Sequence, residues 1–361
     1  MSAPRSVAVV GCGIGRSHVI EGFLPNADKF KLLAVCDINP ERLGAFATEF
    51  SIPRQTASFD DLLAMDDLDI IDICTPPMVH REQILKALAA GKHVISEKPL
   101  VGSLAEIDEI VAAEKTARGR LMPVFQYRYG DGLQQVKRLI DSGLCGKPYV
   151  ATAETLWHRD AVYYSVPWRG KWKTELGGVL MTHAIHIHDI LTYLMGPVER
   201  LFGRTTTRVN AIEVEDCVSA SCQLRSGALA SLTATLGSHE EISRLRLSFE
   251  NVTFESDHAP YQPGTKPWRM IPATAEIGGK IEALLAGWTH VPPRYEGQFA
   301  AFAEALDSGG ELPVTTADSR QALELVTAFY QSSETHEDVV LPIGPDHPKY
   351  RSWVPAGFQT A

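Results

Sequence analysis

The β-branched run Ser6 to Val10 leads into Gly11-Cys12-Gly13-Ile14-Gly15 and then into a helical stretch from Arg16 to Phe23. Strand, glycine loop and helix in that order form the context of a dinucleotide fingerprint. The glycines allow a tight turn, and the helix start offers free N–H groups to a pyrophosphate. Gly11, Gly13, Ile14 and Gly15 are therefore expected at a cofactor. The usual GxGxxG spacing puts its third glycine where Arg16 stands, so the loop is expected to be one residue short. A second strand, Lys31 to Cys36, ends at Asp37, 26 residues after Gly11. A lone Asp there is ordinarily a helix cap, but after a glycine loop it suits the adenosine ribose diol and repels a 2′-phosphate. NAD is thus expected rather than NADP.

The pattern then repeats. Phe59 to Met65 reads as a helix and Asp69 to Cys74 as a central strand, followed by Thr75-Pro76-Pro77-Met78-Val79-His80 and a helix from Arg81 to Ala90. His93 to Ser96 is the next buried strand, and Glu97-Lys98-Pro99 stops it. Pro99 restricts Lys98 to an extended conformation. In open α/β sheets, ligands bind beyond the carboxyl ends of the strands, where Lys98 can serve cofactor and substrate. The plain alternative is a surface lysine in a loop. A helix Ser103 to Arg118 and a strand Leu121 to Gln126 complete the series. The expected fold class is α/β, a doubly wound parallel sheet over residues 1–126.

At 361 residues the chain has room for a second domain. Its 34 Lys and Arg against 44 Asp and Glu give a net charge of −10, which argues against nucleic-acid and membrane-surface roles. No apolar run reaches the roughly 20 residues that span a bilayer, and the N-terminal residues do not read as a signal peptide, so a cytoplasmic protein is expected. Six scattered cysteines without a CxxC pair fit a reducing compartment.

After a helix at Gly132 to Ser142, alternation replaces helical periodicity. Ala230, Leu232, Ala234 and Leu236 share one face, and Ser231, Thr233 and Thr235 the other, as in an antiparallel sheet with one face on a core. Helices are expected at Ile277 to Ala286, Gln298 to Leu306 and Asp318 to Ser332. This α+β domain is taken as residues 127–345, with 346–361 a polar tail. Trp157 to Trp172 holds five aromatics in 16 residues, Tyr163 and Trp168 among them. Such rings suit the C–H faces of sugars and cyclitols; a hydrophobic cluster under a loop is the alternative. In Glu175 to Asp189, helical spacing brings Thr182, His183, His186 and Asp189 near one face and turns His188 away. A metal site is a rival for these residues, although only His183, His186 and Asp189 can share a face. A helical histidine that is merely a satisfied polar group is another rival, and it is adopted for His188.

The glycine loop, Asp37, Cys74-Thr75-Pro76-Pro77 with His80, and Glu97-Lys98-Pro99 resemble, in order and spacing, the glucose–fructose oxidoreductase / inositol dehydrogenase / rhizopine catabolism (Gfo/Idh/MocA) family over residues 6 to about 342. The resemblance implies an open-faced sheet in the second domain, often a subunit contact, and hence a homodimer or homotetramer. It implies an NAD-dependent dehydrogenase for a secondary alcohol of a sugar, cyclitol or polyol, with no metal. Thr75, Pro76, His80, Glu97 and Lys98 would line the nicotinamide end. His186 aligns with the family's proton donor and acceptor, Asp189 with the acidic residue beyond it, and Trp168-Arg169 with a Trp-Arg pair. The family's orienting aspartate is Thr182 here, which leaves His183 as a possible sharer of the proton relay. An NAD-using glycosidase and a non-catalytic nucleotide-binding regulator are the alternatives.

Overall fold

A computed structural model describes residues 3–358. They form two compact units: the chain up to Gln126 together with Tyr295–Arg320, and Tyr127–Arg294 together with the chain from Gln321 onward. The expected helix at Gln298 to Leu306 is observed as Arg294–Ser308. All of it but Arg294 belongs to the first unit, whereas the sequence reading groups it with the second domain.

The first unit is a parallel sheet of β1 (Arg5–Val10), β2 (Phe30–Cys36), β3 (Arg54–Thr56), β4 (Ile70–Ile73), β5 (His93–Ser96) and β6 (Leu121–Pro123). Their order is β3-β2-β1-β4-β5-β6, so the strand order reverses between β1 and β4. Five strands are expressed in the sequence as apolar runs. The sixth, β3, is short, polar and largely exposed at the sheet edge, where no apolar pattern is required. The last strand stops at Pro123, and Gln126–Arg128 is a 3₁₀ turn rather than its continuation. Val7, Ala8, Ile70, Ile71, Val94 and Ile95 are fully buried, as a sheet covered on both faces demands. Gly22 lets Phe299 approach closely; a Cβ there would lie 2.5 Å from its ring.

The second unit is built on eight strands: β7 (Pro148–His158), β8 (Val198–Thr206), β9 (Cys217–Leu224), β10 (Leu229–Thr235), β11 (Gly237–Phe249), β12 (Val252–Glu255), β13 (Arg269–Pro272) and β14 (Val339–Val340). Their order is β13-β12-β11-β7-β10-β9-β8-β14, antiparallel except for the parallel pair β7–β10. On β10, Ala230, Leu232 and Ala234 are buried while Ser231 and Thr233 are exposed, which follows the period of two in the sequence. The helix Ile185–Met195 lies against β7 and β11 and buries most of its surface, so its polar residues are internal. The stretch from residue 346 is not simply a polar tail. Trp353 is fully buried and its Nε1 donates to the Leu176 carbonyl at 2.7 Å, while Tyr350 is also buried.

Candidate functional site

In the first unit the glycines divide their work. Gly11 has φ +99°, and a Cβ there would meet the Cys74 carbonyl oxygen at 2.6 Å, so loop and β4 can touch only because it is bare. Gly15 packs the helix start on Val9, at 2.7 Å from a Cβ position. Gly13 faces open space with nothing within 4 Å, and Ile14 beside it is exposed. That open cradle at the helix start fits a pyrophosphate.

Asp37 follows β2. Its Oδ2 accepts the Cys12 N–H at 2.9 Å, and its Oδ1 accepts the Asn39 N–H at 2.8 Å and Arg42 Nη2 at 3.0 Å. Burial would raise the carboxyl, and these partners hold it below its usual range. Oδ2 keeps a lone pair for a ribose hydroxyl. Thr75 donates to Gln83 Oε1 at 2.6 Å, and Pro76 is exposed. His80 is fully buried and spans two loops, with Nδ1 2.9 Å from the Pro99 carbonyl and Nε2 2.7 Å from the Thr75 carbonyl. Both nitrogens thus face backbone carbonyls, and burial lowers the pKa of the ring, whose neutral form donates to one of the two. His80 braces the Thr75 and Pro99 corners, because a buried imidazole must satisfy its polar atoms locally.

Lys98 is half-buried at the corner after β5, and its peptide bond to Pro99 is cis. The Glu97 carboxylate, expected at the cofactor, turns inward. Oε1 accepts from His18 Nε2 at 2.9 Å and from Tyr295 Oη at 3.0 Å, and Oε2 accepts the Lys98 N–H at 3.0 Å. His18 also sets Nδ1 2.9 and 3.0 Å from the two Asp72 oxygens, and Cys74 Sγ lies 3.3 Å from Nδ1 and 3.4 Å from Asp72 Oδ2. Burial alone would lower the pKa of His18, but Asp72 and its neighbours push it well above its usual range. Burial would raise that of Glu97, yet the His18 hydrogen bond and charge bring it down to about 2. His18, Asp72 and Cys74 also form a group of metal-ligand types. Their donor atoms, however, bond to one another at hydrogen-bond distances. The sequence reading passed over this cluster, although a carboxylate within the apolar strand Ile70–Ile73 is itself a signal, since a buried charge requires a partner.

In the second unit the turn before the histidines hangs on Glu215, which the sequence reading did not single out. Its Oε1 accepts the Gly178 and Leu180 N–H groups at 3.1 and 3.0 Å, and its Oε2 accepts Tyr330 Oη at 2.9 Å. Gly178 must be glycine, since a Cβ would lie 1.7 Å from the Glu215 carbonyl oxygen. Burial outweighs these donors and lifts the Glu215 carboxyl to about 7.

Leu180–Ala184 is a π-helical turn and Ile185–Met195 the α-helix after it. Thr182 Oγ1 donates to the Gly178 carbonyl at 2.7 Å and lies 2.5 Å from His183 Nδ1. With that hydroxyl hydrogen engaged, His183 Nδ1 carries the proton. Nε2 is then the acceptor for Arg159 Nε at 3.1 Å. Thr182 therefore orients His183. Arg159 is held by Glu241 at 2.7 Å and Tyr261 at 2.6 Å.

His186 is buried and stacks on Tyr127, with ring centroids 4.2 Å apart. Asp189, expected to hold a substrate hydroxyl, forms a buried bidentate pair with Arg128, at 2.8 Å from Nε and 2.6 Å from Nη2. Its first task is to neutralise that guanidinium, because an unpaired buried cation is costly. His188 lies against Phe329, and burial lowers its pKa to about 3, so it is a neutral core residue. In the aromatic loop, Trp157 and Trp172 are core, whereas Tyr163, Tyr164 and Trp168 are half-buried. The Arg169 guanidinium sits 3.9 Å from the Tyr163 ring centroid and 4.6 Å from that of Trp168, and Nη1 donates to Tyr163 Oη.

Residues 5–125 match the family model described as oxidoreductase family, NAD-binding Rossmann fold, and residues 133–255 match the GFO/IDH/MocA C-terminal domain. A D-apiose dehydrogenase from Paraburkholderia graminis is 28% identical over 92% of this chain and 89% of its own length. A D-glucoside 3-dehydrogenase from Escherichia coli is 26% identical over 94% of this chain and 98% of its own. Among solved structures, the WlbA dehydrogenase from Bordetella pertussis in complex with NADH and UDP-GlcNAcA superimposes with a TM-score of 0.83. It is 29% identical and covers 95% of this chain and 99% of that one.

Proposed function

The chain belongs to the Gfo/Idh/MocA oxidoreductases, and on that footing we propose that it oxidises a secondary alcohol of a sugar, cyclitol or related polyol, with NAD preferred over NADP. The observation that carries this reading is the first unit's arrangement of the open Gly13 cradle, Asp37 beyond β2 and Lys98 at the end of β5. NAD would be held by the glycine loop and Asp37, and it supplies the hydride acceptor. Lys98 offers an ammonium to the reacting oxygen and stabilises alkoxide character there. His186 takes the hydroxyl proton. His183 is less suited to that task, since its Nε2 accepts from Arg159. Tyr163, Trp168 and Arg169 supply ring faces and donors to the sugar. Asp189 contributes through Arg128. The dehydrogenase names of the relatives support the substrate class. The weakly charged outer face of β10 suits sheet-to-sheet pairing in a dimer or tetramer, and cytoplasmic residence fits six free cysteines.

A panel of sugars, inositols and sugar acids with NAD, read at the NADH absorbance, tests the reading. Steady NADH formation is expected with at least one of them. On the best substrate, Lys98→Ala and His186→Ala should each lose about 10² to 10⁴ in kcat. A His186→Ala enzyme keeping more than about a tenth of kcat would place the base elsewhere.

A further inference from the structure

We propose that His18 is a positioning residue for Lys98, an imidazolium that binds the glycine-loop helix, the end of β4 and the Glu97-Lys98 corner into one charged unit. The inference rests on the role given to Lys98 above. His18 ends the first helical turn after the glycine loop, Gly15–His18, and has no solvent exposure. Each ring nitrogen faces a carboxylate, Asp72 on one side and Glu97 on the other. An imidazole can meet two carboxylates only with both nitrogens protonated. The other groups around it are the Cys74 thiol, the Tyr295 hydroxyl that shares Glu97, and the Phe299 ring. The Tyr295 ring lies 4.5 Å from the imidazole, so the cation cannot shift without disturbing the aromatic wall.

The consequence runs outward through Glu97. Kept ionised by His18, Glu97 leaves Oε2 as an acceptor for the Lys98 N–H and so fixes the backbone that carries the ammonium. The same imidazole is part of the helix that begins at the Gly13 cradle. One buried cation thus sets the distance between the pyrophosphate loop and the strand-end lysine, without touching cofactor or substrate.

The test uses the full chain with NAD and its best substrate. His18→Gln alone leaves Asp72 and Glu97 buried without the imidazolium between them, with only the Lys98 charge near Glu97, and is expected to destabilise the fold. His18→Gln combined with Asp72→Asn removes one charge of each sign and restores the balance. This double variant should melt near the wild-type temperature and hold KM for NAD within about threefold. Its kcat should fall about tenfold or more, since a displacement of roughly 1 Å at a reacting group costs up to about 10². Glu97, left with the Lys98 charge but without its hydrogen-bonded imidazolium, should protonate at higher pH and move the acidic limb of the kcat profile upward. A double variant with wild-type kcat and profile would overturn the proposal. If it fails to fold, Asp72→Asn alone decides: it removes the charge that keeps His18 protonated, and an unmoved acidic limb would overturn the proposal equally. An inert Lys98→Ala would instead sink the dehydrogenase reading, whereas a crippled Lys98→Ala beside unaffected His18 variants would sink only this one.

Discussion

Glu97 in the first unit and Glu215 in the second are both buried carboxylates, and each receives three hydrogen-bond donors. Their acidities move in opposite directions, to about 2 for Glu97 and about 7 for Glu215. The number of donors is therefore not what decides. One of the Glu97 donors is a cation, whereas those of Glu215 are two peptide N–H groups and a phenol. Neutral dipoles offset only part of the burial penalty, and a formal opposite charge exceeds it. The first unit is built around ionised groups close to its strand ends, and the glycine turn of the second hangs on a carboxyl poised near neutrality.

The opposed shifts give opposed pH behaviour. Glu97 contributes stability above its ordinary 4.5, lost as pH falls toward about 2. Glu215 binds a proton more readily when folded, so its contribution is present below 4.5 and lost as pH rises through about 7.

The largest effect should come from giving the second unit an unpaired buried charge. Arg128→Met leaves Asp189 without its bidentate partner and should cost about 3–5 kcal/mol in urea unfolding, as breaking a buried pair does. A loss below about 1 kcal/mol would mean that water or a neighbour replaces the guanidinium, and the charge argument would fail there. Glu215→Gln comes next. Its amide can donate to Tyr330 while its oxygen accepts the Gly178 and Leu180 N–H groups. Above pH 7 it should be more stable than wild type by up to about 3 kcal/mol, the equivalent of its pKa displacement, with no gain near pH 4. Melting temperatures across that range report it, and parallel curves for the two proteins would remove Glu215 as the source.

Asp37 lies between the extremes, a buried carboxylate whose partner Arg42 reaches it from solvent. We expect NAD to be favoured over NADP by about 100-fold, or roughly 2.7 kcal/mol. Asp37→Ser should shrink that ratio, and equal use of both cofactors by the wild type would refute the assignment. The smallest change is Thr182→Val, which removes the hydroxyl between the Gly178 carbonyl and His183. It should cost about 1 kcal/mol and leave kcat within severalfold, because the hydroxyl orients His183, whose Nε2 is already engaged by Arg159. A loss as large as that of His186→Ala would return Thr182 to the proton relay.

Much of this was written plainly in the chain. Ser6–Val10 with its glycines, the strand ending at Asp37 and the Glu97-Lys98-Pro99 corner are local patterns with fixed backbone consequences, and they specified a parallel nucleotide-binding sheet. The alternation along Ala228 to Leu236 likewise specified a one-sided strand. In both cases neighbouring residues carry the information, since strand periodicity and glycine conformation are set within a few positions. The partners of the polar side chains were decided only by the tertiary structure. Glu97 meets His18 across 79 positions, Arg128 meets Asp189 across 61, and Glu215 holds Gly178 from 37 residues away. Thr182 turned to His183 because a π-helical turn replaced the α-helical spacing from which its face was inferred. Such pairings follow from which strands lie side by side and which groups burial strips of water. Desolvation and charge act through space, so the sequence names the groups that titrate while the fold decides in which direction each one is driven.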